Sequence, residues 1–578
     1  MAEQLNQAVT KYTIPRATGT HGDVFAAVGL ADLLVSIADA GKVRIIDTGL
    51  GFEVTTSDMS SLDGLPAVPG YPFLKTNEKT SVPKGAIEVV DYKAERAKAD
   101  RRKKLLQGKT RKSVGPEIDE LLKQDEPRPD WRLLQVLNTL QGDETTNRVY
   151  AQILRMKPAD FSRAVTDALR SLSVFEPSRL DWAATSVQLF TPNAAKGYSR
   201  LKPDSTDRND KTKEQWTDPF IEWLRYRGYF IVACPFFQGQ KAENVRLLCP
   251  VPHDIEIAAL RQVVSELRQI WIPGGPPKLD SLAALKLAEL LIRYSEEFHD
   301  ADKPAVVRLF GKTPADVISG ISVTHYQSLG NAKAVSAIST VALPGWLTLR
   351  QPQDASAFLE ILDEHQRVVR SLRDDHSDEI GLLIDYRRFL ETRGEHSICM
   401  LVEFMSRYGA LVLRAREQSR KIPQFTTNNF ERLLMQNAPR LTSVLEDPGF
   451  QAVASAIRNA TVNAQAHKAM KREYREIRYD LIPELRRKSS LPGNESLIQA
   501  LSDFISKYNV ENARRRELGK PAPRNVTTDE LQALIRIVET GGAATVGPML
   551  CAYASCRVPR EPDLGPEAES ETAETEQE

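Results

Sequence analysis

The chain has 578 residues, 41% hydrophobic and 27% charged, and its 77 bases balance 77 acids. That length exceeds one hydrophobic core and fits about three or four domains of roughly 100 to 200 residues each. The composition is that of an ordinary soluble globular protein, and no apolar run nears the roughly 18 residues that span a bilayer, so no membrane-spanning helix is expected.

The start, MAEQLNQAVTKYTIPRATG, lacks the apolar core of a signal peptide, so a cytoplasmic location is expected. Next, DVFAAVGLADLLVSIADAG places Val28, Leu30, Leu33, Leu34 and Ile37 at helical spacing, and KVRIIDTGLGFEVTT gives two β-rich runs about a glycine turn: a helix, then a hairpin. Residues 60 to 90 are rich in turns. The run 93 to 112 holds ten bases and two acids, as a basic helix end or a loop. Helices are expected again from PDWRLLQVLNTLQ to ALRSLS, and 191 to 215 is a long polar loop without an apolar period.

Two strands, YFIVACPFF and VRLLCPVP, predict a second hairpin, and IEIAALRQVVSELRQI and LDSLAALKLAELLIRY are amphipathic helices. The β-branched runs of ISVTHYQSLGNAKAVSAISTVALPGWLTL interrupt them. From about Gln353 only helices are expected, with breaks at Pro423, Pro448–Gly449, Pro483, SSLPGNES, Pro521, Pro523 and Gly541–Gly542; Thr527 and Glu530 form a capping box. Residues 411 to 525 carry 21 bases and 12 acids. The tail 561 to 578 has eight acids and no base, leaving 77 bases against 69 acids in the rest, and cannot bury enough apolar area to order. Five scattered cysteines, Cys234, Cys249, Cys399, Cys551 and Cys556, form no zinc pattern or disulfide framework and are expected to be reduced, buried fillers.

Within AIRNATVNAQAHKAMKREYREIR, 456 to 478, Arg458, Thr461, Gln465, Lys468, Arg472 and Arg475 recur at steps of three and four, a polar-to-basic rail along one side of a helix. The other side begins with the small groups Val453, Ile457, Ala460 and Ala464, which would let a neighbouring helix approach closely, and ends with Met470, Tyr474 and Ile477. A solvated bundle face would give the same stripe, whereas a phosphate backbone would need it.

Enzyme signatures are weak. FGKTP at 310 to 314 has Val306 where a P-loop needs glycine, and His299, Asp300 and Asp302 lack the additional histidines of a metal phosphohydrolase. The acidic DDHSDE, 374 to 379, fits a solvated turn. No enzyme, cofactor or metal is therefore expected. Distributed charge remains, in 93 to 112, 196 to 213, 414 to 421, 468 to 488 and 514 to 524, with Tyr198, Tyr474 and Tyr508 available for stacking on bases.

The order of HGDVFAAVGLADLL, of NAAKGYSRLK leading into DPFIEWLRYRGYFIV, of YQSLGNAKAVSAISTVALPGWL and of a helical end with AIRNATVNAQ resembles the large subunit of the type I CRISPR surveillance complex, Cascade, over residues 15 to 555. In several subtypes that subunit ends in a helical region equivalent to the complex's small subunit. The resemblance implies a non-catalytic subunit of prokaryotic antiviral defence that recognises the protospacer-adjacent motif (PAM) in double-stranded DNA. It also implies help in opening the duplex, support of the R-loop's displaced single strand, and recruitment of a helicase-nuclease. Its partners would be the other Cascade subunits and guide RNA, with no membrane. On residue chemistry, the polar loop with Asn193, Lys196, Tyr198, Arg200 and Lys202 is the candidate for the groove, and Arg458, Gln465, Lys468, Arg472 and Arg475 are candidates for the displaced strand. The alternatives are a metal-dependent phosphohydrolase or nuclease, and a protein-binding helical scaffold. The expected fold class is α+β: a mixed α/β region 1–130, an α/β middle 131–352, a helical bundle 353–556 and a disordered acidic tail 557–578.

Overall fold

The computed structural model describes residues 10–37, 42–56, 65–107, 116–173, 178, 180, 182, 189–192, 218–238, 244–272, 274–298, 303–329, 332–470 and 475–559. The fold is α+β, and the chain forms two compact units. The first comprises Met1–Ile272, Lys286–Pro344 and Thr348–Pro352; the second comprises Pro273–Leu285, Gly345–Leu347 and Gln353–Glu578.

The first unit runs β1 (Thr10–Pro15), α1 (His21–Ile37), β2 (Val43–Asp47), β3 (Gly51–Thr56), β4 (Phe73–Lys75), β5 (Val89–Asp91), α2 (Tyr92–Leu106), α3 (Pro116–Gln124), α4 (Trp131–Thr139), α5 (Asp143–Arg155), α6 (Pro158–Ser173), α7 (Pro219–Val232), β6 (Cys234–Gln238), β7 (Asn244–Pro252), β8 (Asp254–Glu256) and α8 (Ile257–Gln269). It continues through the end of α9 (Pro276–Arg293) into β9 (Ile318–Leu329) and β10 (Ala332–Ala342). Two antiparallel sheets result, ordered β1-β3-β2-β8 and β10-β9-β7-β6, beside a small parallel pair β4-β5. In the first, Ile45 opposes Ile255, so a strand from the middle of the chain completes the sheet begun by the amino-terminal hairpin. Residues 1–130 and most of 131–352 thus fall in one unit, while Pro273–Leu285 and Gly345–Leu347 belong to the other.

The helix and hairpin expected near the start form as read. α1 is buried around nearly its whole circumference and crosses α7 at two glycines. A Cβ at Gly29 would strike the Leu224 carbonyl oxygen, and one at Gly228 the Phe25 carbonyl oxygen, so only glycine permits this backbone approach. Charges buried at the crossing are paired: Arg227 meets Asp32 at 2.5 Å, and Asp32 also holds Arg261. The expected strand YFIVACPFF divides, because Tyr229–Val232 complete α7 and only Cys234–Gln238 is extended. Asp218 caps α7, accepting from the Phe220 and Ile221 amides at 2.8 and 3.3 Å, and Pro219 presets its first turn. Burial of Phe220, Trp223, Tyr226 and Tyr229 then carries the helix through residues of high strand propensity.

The second unit is helical: α10 (Pro352–Ser371), α11 (Ser377–Glu391), α12 (Gly394–Glu417), α13 (Thr427–Asn437), α14 (Pro439–Leu445), α15 (Pro448–Arg458), a π turn at Asn459–Asn463, α16 (Ala464–Ala469), α17 (Leu481–Ser489), α18 (Glu495–Glu517), α19 (Thr528–Gly541) and α20 (Ala543–Ser555). The capping box forms as expected, with Thr527 N donating to Glu530 Oε2 at 2.8 Å and Glu530 N to Thr527 Oγ1 at 3.3 Å. Gly542, at φ +82°, separates α19 from α20. Pro483 does not break a helix, since it lies in the first turn of α17, where its missing N–H costs nothing. Four cysteines are buried; Cys399 is exposed on α12, contrary to expectation. Among the described residues no helix is long and apolar enough to cross a membrane.

Candidate nucleic-acid interface

The expected rail is not a surface. Residues 456 to 478 leave α15, pass through the π turn and α16, and are non-helical from Arg475 to Arg478. Arg458 is 8% exposed; its Nη2 donates to Tyr553 O at 2.8 Å and its guanidinium lies 5.2 Å from the Tyr553 ring centre. Thr461 is buried and donates to Ile457 O, and Gln465 is buried with its Nε2 on Leu413 O at 2.7 Å. Arg475 pairs with Glu511 at 2.6 Å, and its side chain is 1% exposed. Lys468 is exposed, and Arg472 lies outside the described residues. The spacing grouped Arg458, Thr461 and Gln465, which are all buried, but Lys468 is exposed and Arg475 lies beyond the helix; periodicity does not say which face turns inward or where the helix stops. Arginine and glutamine enter the interior because each finds a carbonyl, carboxylate or ring there. The outward stripe of α15 and its π turn is instead Gln451, Ser455 and Asn459.

Asn193, Lys196, Tyr198, Arg200 and Lys202 lie outside the described residues, as do His299, Asp300, Asp302 and Tyr474. Tyr508 is 1% exposed with the Arg475 guanidinium 4.2 Å from its ring centre, so its face is taken and cannot stack on a base. Among the described residues no three His, Cys, Asp or Glu side chains are placed to hold a metal ion.

Several basic clusters turn out to brace the fold. On α2, Arg101 Nε and Nη2 donate to Asp125 Oδ1 at 2.9 and 2.6 Å, and Lys98 meets Glu95 at 2.7 Å. Arg420 clasps Glu379 at 2.5 and 2.8 Å. Burial opposes the Glu379 charge, yet hydrogen bonds from Arg420 and Arg373 outweigh it and hold the carboxyl at about 2. Arg515 and Arg516 donate to the Pro521 and Pro523 carbonyls at 3.0 and 2.8 Å, fixing the loop after α18.

One group of arginines is arranged differently. Arg407 and Arg414 on α12 and Arg486 on α17 line a cleft of about 390 Å³ with Tyr479, bounded on the α11 side by Asp378 and Leu382. Arg414 reaches Asp378 at 3.6 Å and Arg486 reaches Glu403 at 3.4 Å, both longer than a good charged hydrogen bond and partly exposed. Exposed pairs of this kind contribute about 0–1 kcal/mol, so an incoming phosphate can take them over. Burial is the main cause that depresses the pKa of Arg407; the nearby Arg486 adds to it and Asp378 opposes it. Arg407 is itself held by Asp385. Arg487, next along α17, is exposed.

The cleft joins two of the basic segments read from the sequence, 414 to 421 and 468 to 488, which contribute Arg414, Tyr479 and Arg486. Arg407 was missed, although its place two helical turns before Arg414 was a usable signal. Comparison with protein-family models and with curated proteins returns no match to either.

Proposed function

We propose that this chain is a non-catalytic nucleic-acid-binding protein. More particularly, we propose the large subunit of a type I CRISPR Cascade complex, which recognises the PAM in duplex DNA, aids its opening, supports the displaced strand and recruits a helicase-nuclease. The observation that carries the nucleic-acid reading is the convergence of Arg407, Arg414 and Arg486 with Tyr479 on one cleft. Guanidinium groups bind phosphate through paired donors, and a basic groove with an aromatic neighbour suits a single strand. The particular identity rests on the arrangement of sequence segments, and the 193 to 202 loop remains the proposed motif reader.

The test is a variant with Arg407→Gln, Arg414→Gln and Arg486→Gln. Each lost single-strand phosphate contact reduces the slope of log affinity against log salt by about 0.7, so the triple variant should flatten it by about 2. An unchanged slope would overturn the assignment of the cleft. Assembly with guide RNA and the other subunits, read by permanganate footprinting of a target duplex, tests the particular identity; a chain that neither assembles nor supports opening is not this subunit.

A further inference from the structure

We infer that the helical unit carries a second, separate site: a pocket for the base of one unstacked nucleotide, between α15, the loop before α19, and α19 itself. Its floor is the outward stripe Gln451, Ser455 and Asn459, and Asn525 and Arg524 face it from the loop, around about 360 Å³. That volume lies in the range of small-ligand sites.

The floor is neutral and rich in amides, which is not the chemistry of a phosphate groove. The amides are also fixed. Gln451 Nε2 donates to Leu445 O at 2.7 Å, Asn463 Nδ2 donates to Asn459 Oδ1 at 2.9 Å, and Arg516 Nη2 donates to Asn525 Oδ1 at 3.2 Å. The last bond orients the Asn525 amide and leaves its NH₂ donors for a ligand. Asn459 is taken up within the fold, since its Nδ2 donates to Tyr508 Oη at 3.4 Å, so the Asn525 NH₂ and the Ser455 hydroxyl are the groups that would meet a planar partner with its own donors and acceptors, as a base edge has. The π turn that begins at Asn459 strengthens the case, since such turns favour functional positions.

Two charged residues line the pocket, Arg524 and Glu530, and they pair with each other at 2.5 Å. The Arg524 side chain stays 69% exposed, so it can meet the nucleotide's phosphate. Because the Tyr508 ring is occupied by Arg475, the base would be held by its edge. Edge contacts discriminate between bases, whereas stacking tolerates all of them.

The inference rests on the nucleic-acid reading only for whether the nucleotide comes from a strand or is free. The experiment is calorimetric titration of the full chain with the four deoxynucleoside 5′-monophosphates and with deoxyribose 5-phosphate, followed by competition with single-stranded oligonucleotides. At least one nucleotide should bind roughly tenfold more tightly than the sugar phosphate. Asn525→Ala and the pocket-filling Ser455→Leu should each abolish that preference at an unchanged unfolding temperature, and Arg524→Gln should weaken all ligands alike. Competition by oligonucleotides assigns the strand as the source; its absence assigns free nucleotide, and the pocket stands either way. Equal binding of nucleotides and sugar phosphate, or a preference that survives both Asn525→Ala and Ser455→Leu, overturns the pocket. If it falls while the arginine-cleft variant still flattens the salt slope, the function proposed above is untouched.

Discussion

Arg475 brings a guanidinium into the helical unit, where Glu511 and the Tyr508 ring receive it, and among the described residues its Nε and Nη1 have no hydrogen-bond partner. Arg475→Ala should cost about 3 kcal/mol in urea unfolding, because it strands Glu511 and empties the space of the stem. Arg475→Met should cost less, since it keeps the stem and removes unsatisfied donors. Neither should alter the salt slope of DNA binding; a slope change in Arg475→Met would return this residue to the surface. Adjacent residues on α10 make a second prediction. Burial raises the Glu364 pKa to about 7, and burial lowers that of His365, whose Nδ1 lies 2.8 Å from Tyr386 Oη, to about 3. From about pH 4.5 to 7 the unfolded chain binds fewer protons at Glu364 than the folded one, so its contribution to stability falls as pH rises. From about pH 3 to 6.5 the unfolded chain binds more protons at His365, so stability rises with pH, and the two trends offset between about 4.5 and 6.5. Glu364→Gln should therefore stabilise the protein at pH 8 by up to about 3 kcal/mol and expose the rising histidine limb at lower pH. Urea midpoints at pH 5, 6.5 and 8 measure this, and a variant no more stable than the parent at pH 8 would contradict it.

Elements were legible where local chemistry decides them. Thr527 and Glu530 announce α19 through a bond pattern complete within four residues, and the helix and hairpin over 23 to 56 follow from period and turn alone. They were illegible where long-range burial decides. Tyr229–Val232 has strand propensity but completes a helix begun eleven residues earlier by Asp218 and Pro219, and nothing within the four residues reports that. The arginine cleft was half legible for a related reason: its members sit on α12 and α17, and only packing brings them together. The α1–α7 crossing makes the most severe prediction for an element. Glycine to alanine inside a helix normally helps it, yet at Gly228 the added methyl would enter the Phe25 carbonyl. Gly228→Ala should destabilise the first unit by about 3 kcal/mol or more, while an exposed α2 substitution such as Lys103→Ala stays within about 0.5 kcal/mol. A neutral Gly228→Ala in thermal unfolding would mean that the helices do not cross this closely.

For the whole molecule, net charge near zero conceals segregation, because residues 561 to 578 hold eight acids and no base, and 77 bases face 69 acids in the remainder. Long-range fields act on the rate of encounter with a polyanion more than on the strength of any contact, and they decay over a screening length of about 10 Å at 0.1 M salt and 3 Å at 1 M. A chain ending at residue 559 should therefore associate with single-stranded DNA faster than the full chain at low salt, and the difference should vanish near 1 M. The truncation point matters. Arg557 still bridges to the start of α13, with its N–H on Phe425 O at 2.8 Å and its carbonyl accepting from Thr427 N at 3.1 Å, so ending the chain at 559 leaves that strap in place. Ending it at 555 removes the strap and the buried Cys556, and should lower the unfolding temperature as well. Stopped-flow association across a salt series, beside thermal unfolding of the two truncations, separates these effects. Equal association rates for the full chain and the 559 truncation at every salt concentration would show that the acidic residues do not oppose the approach of nucleic acid.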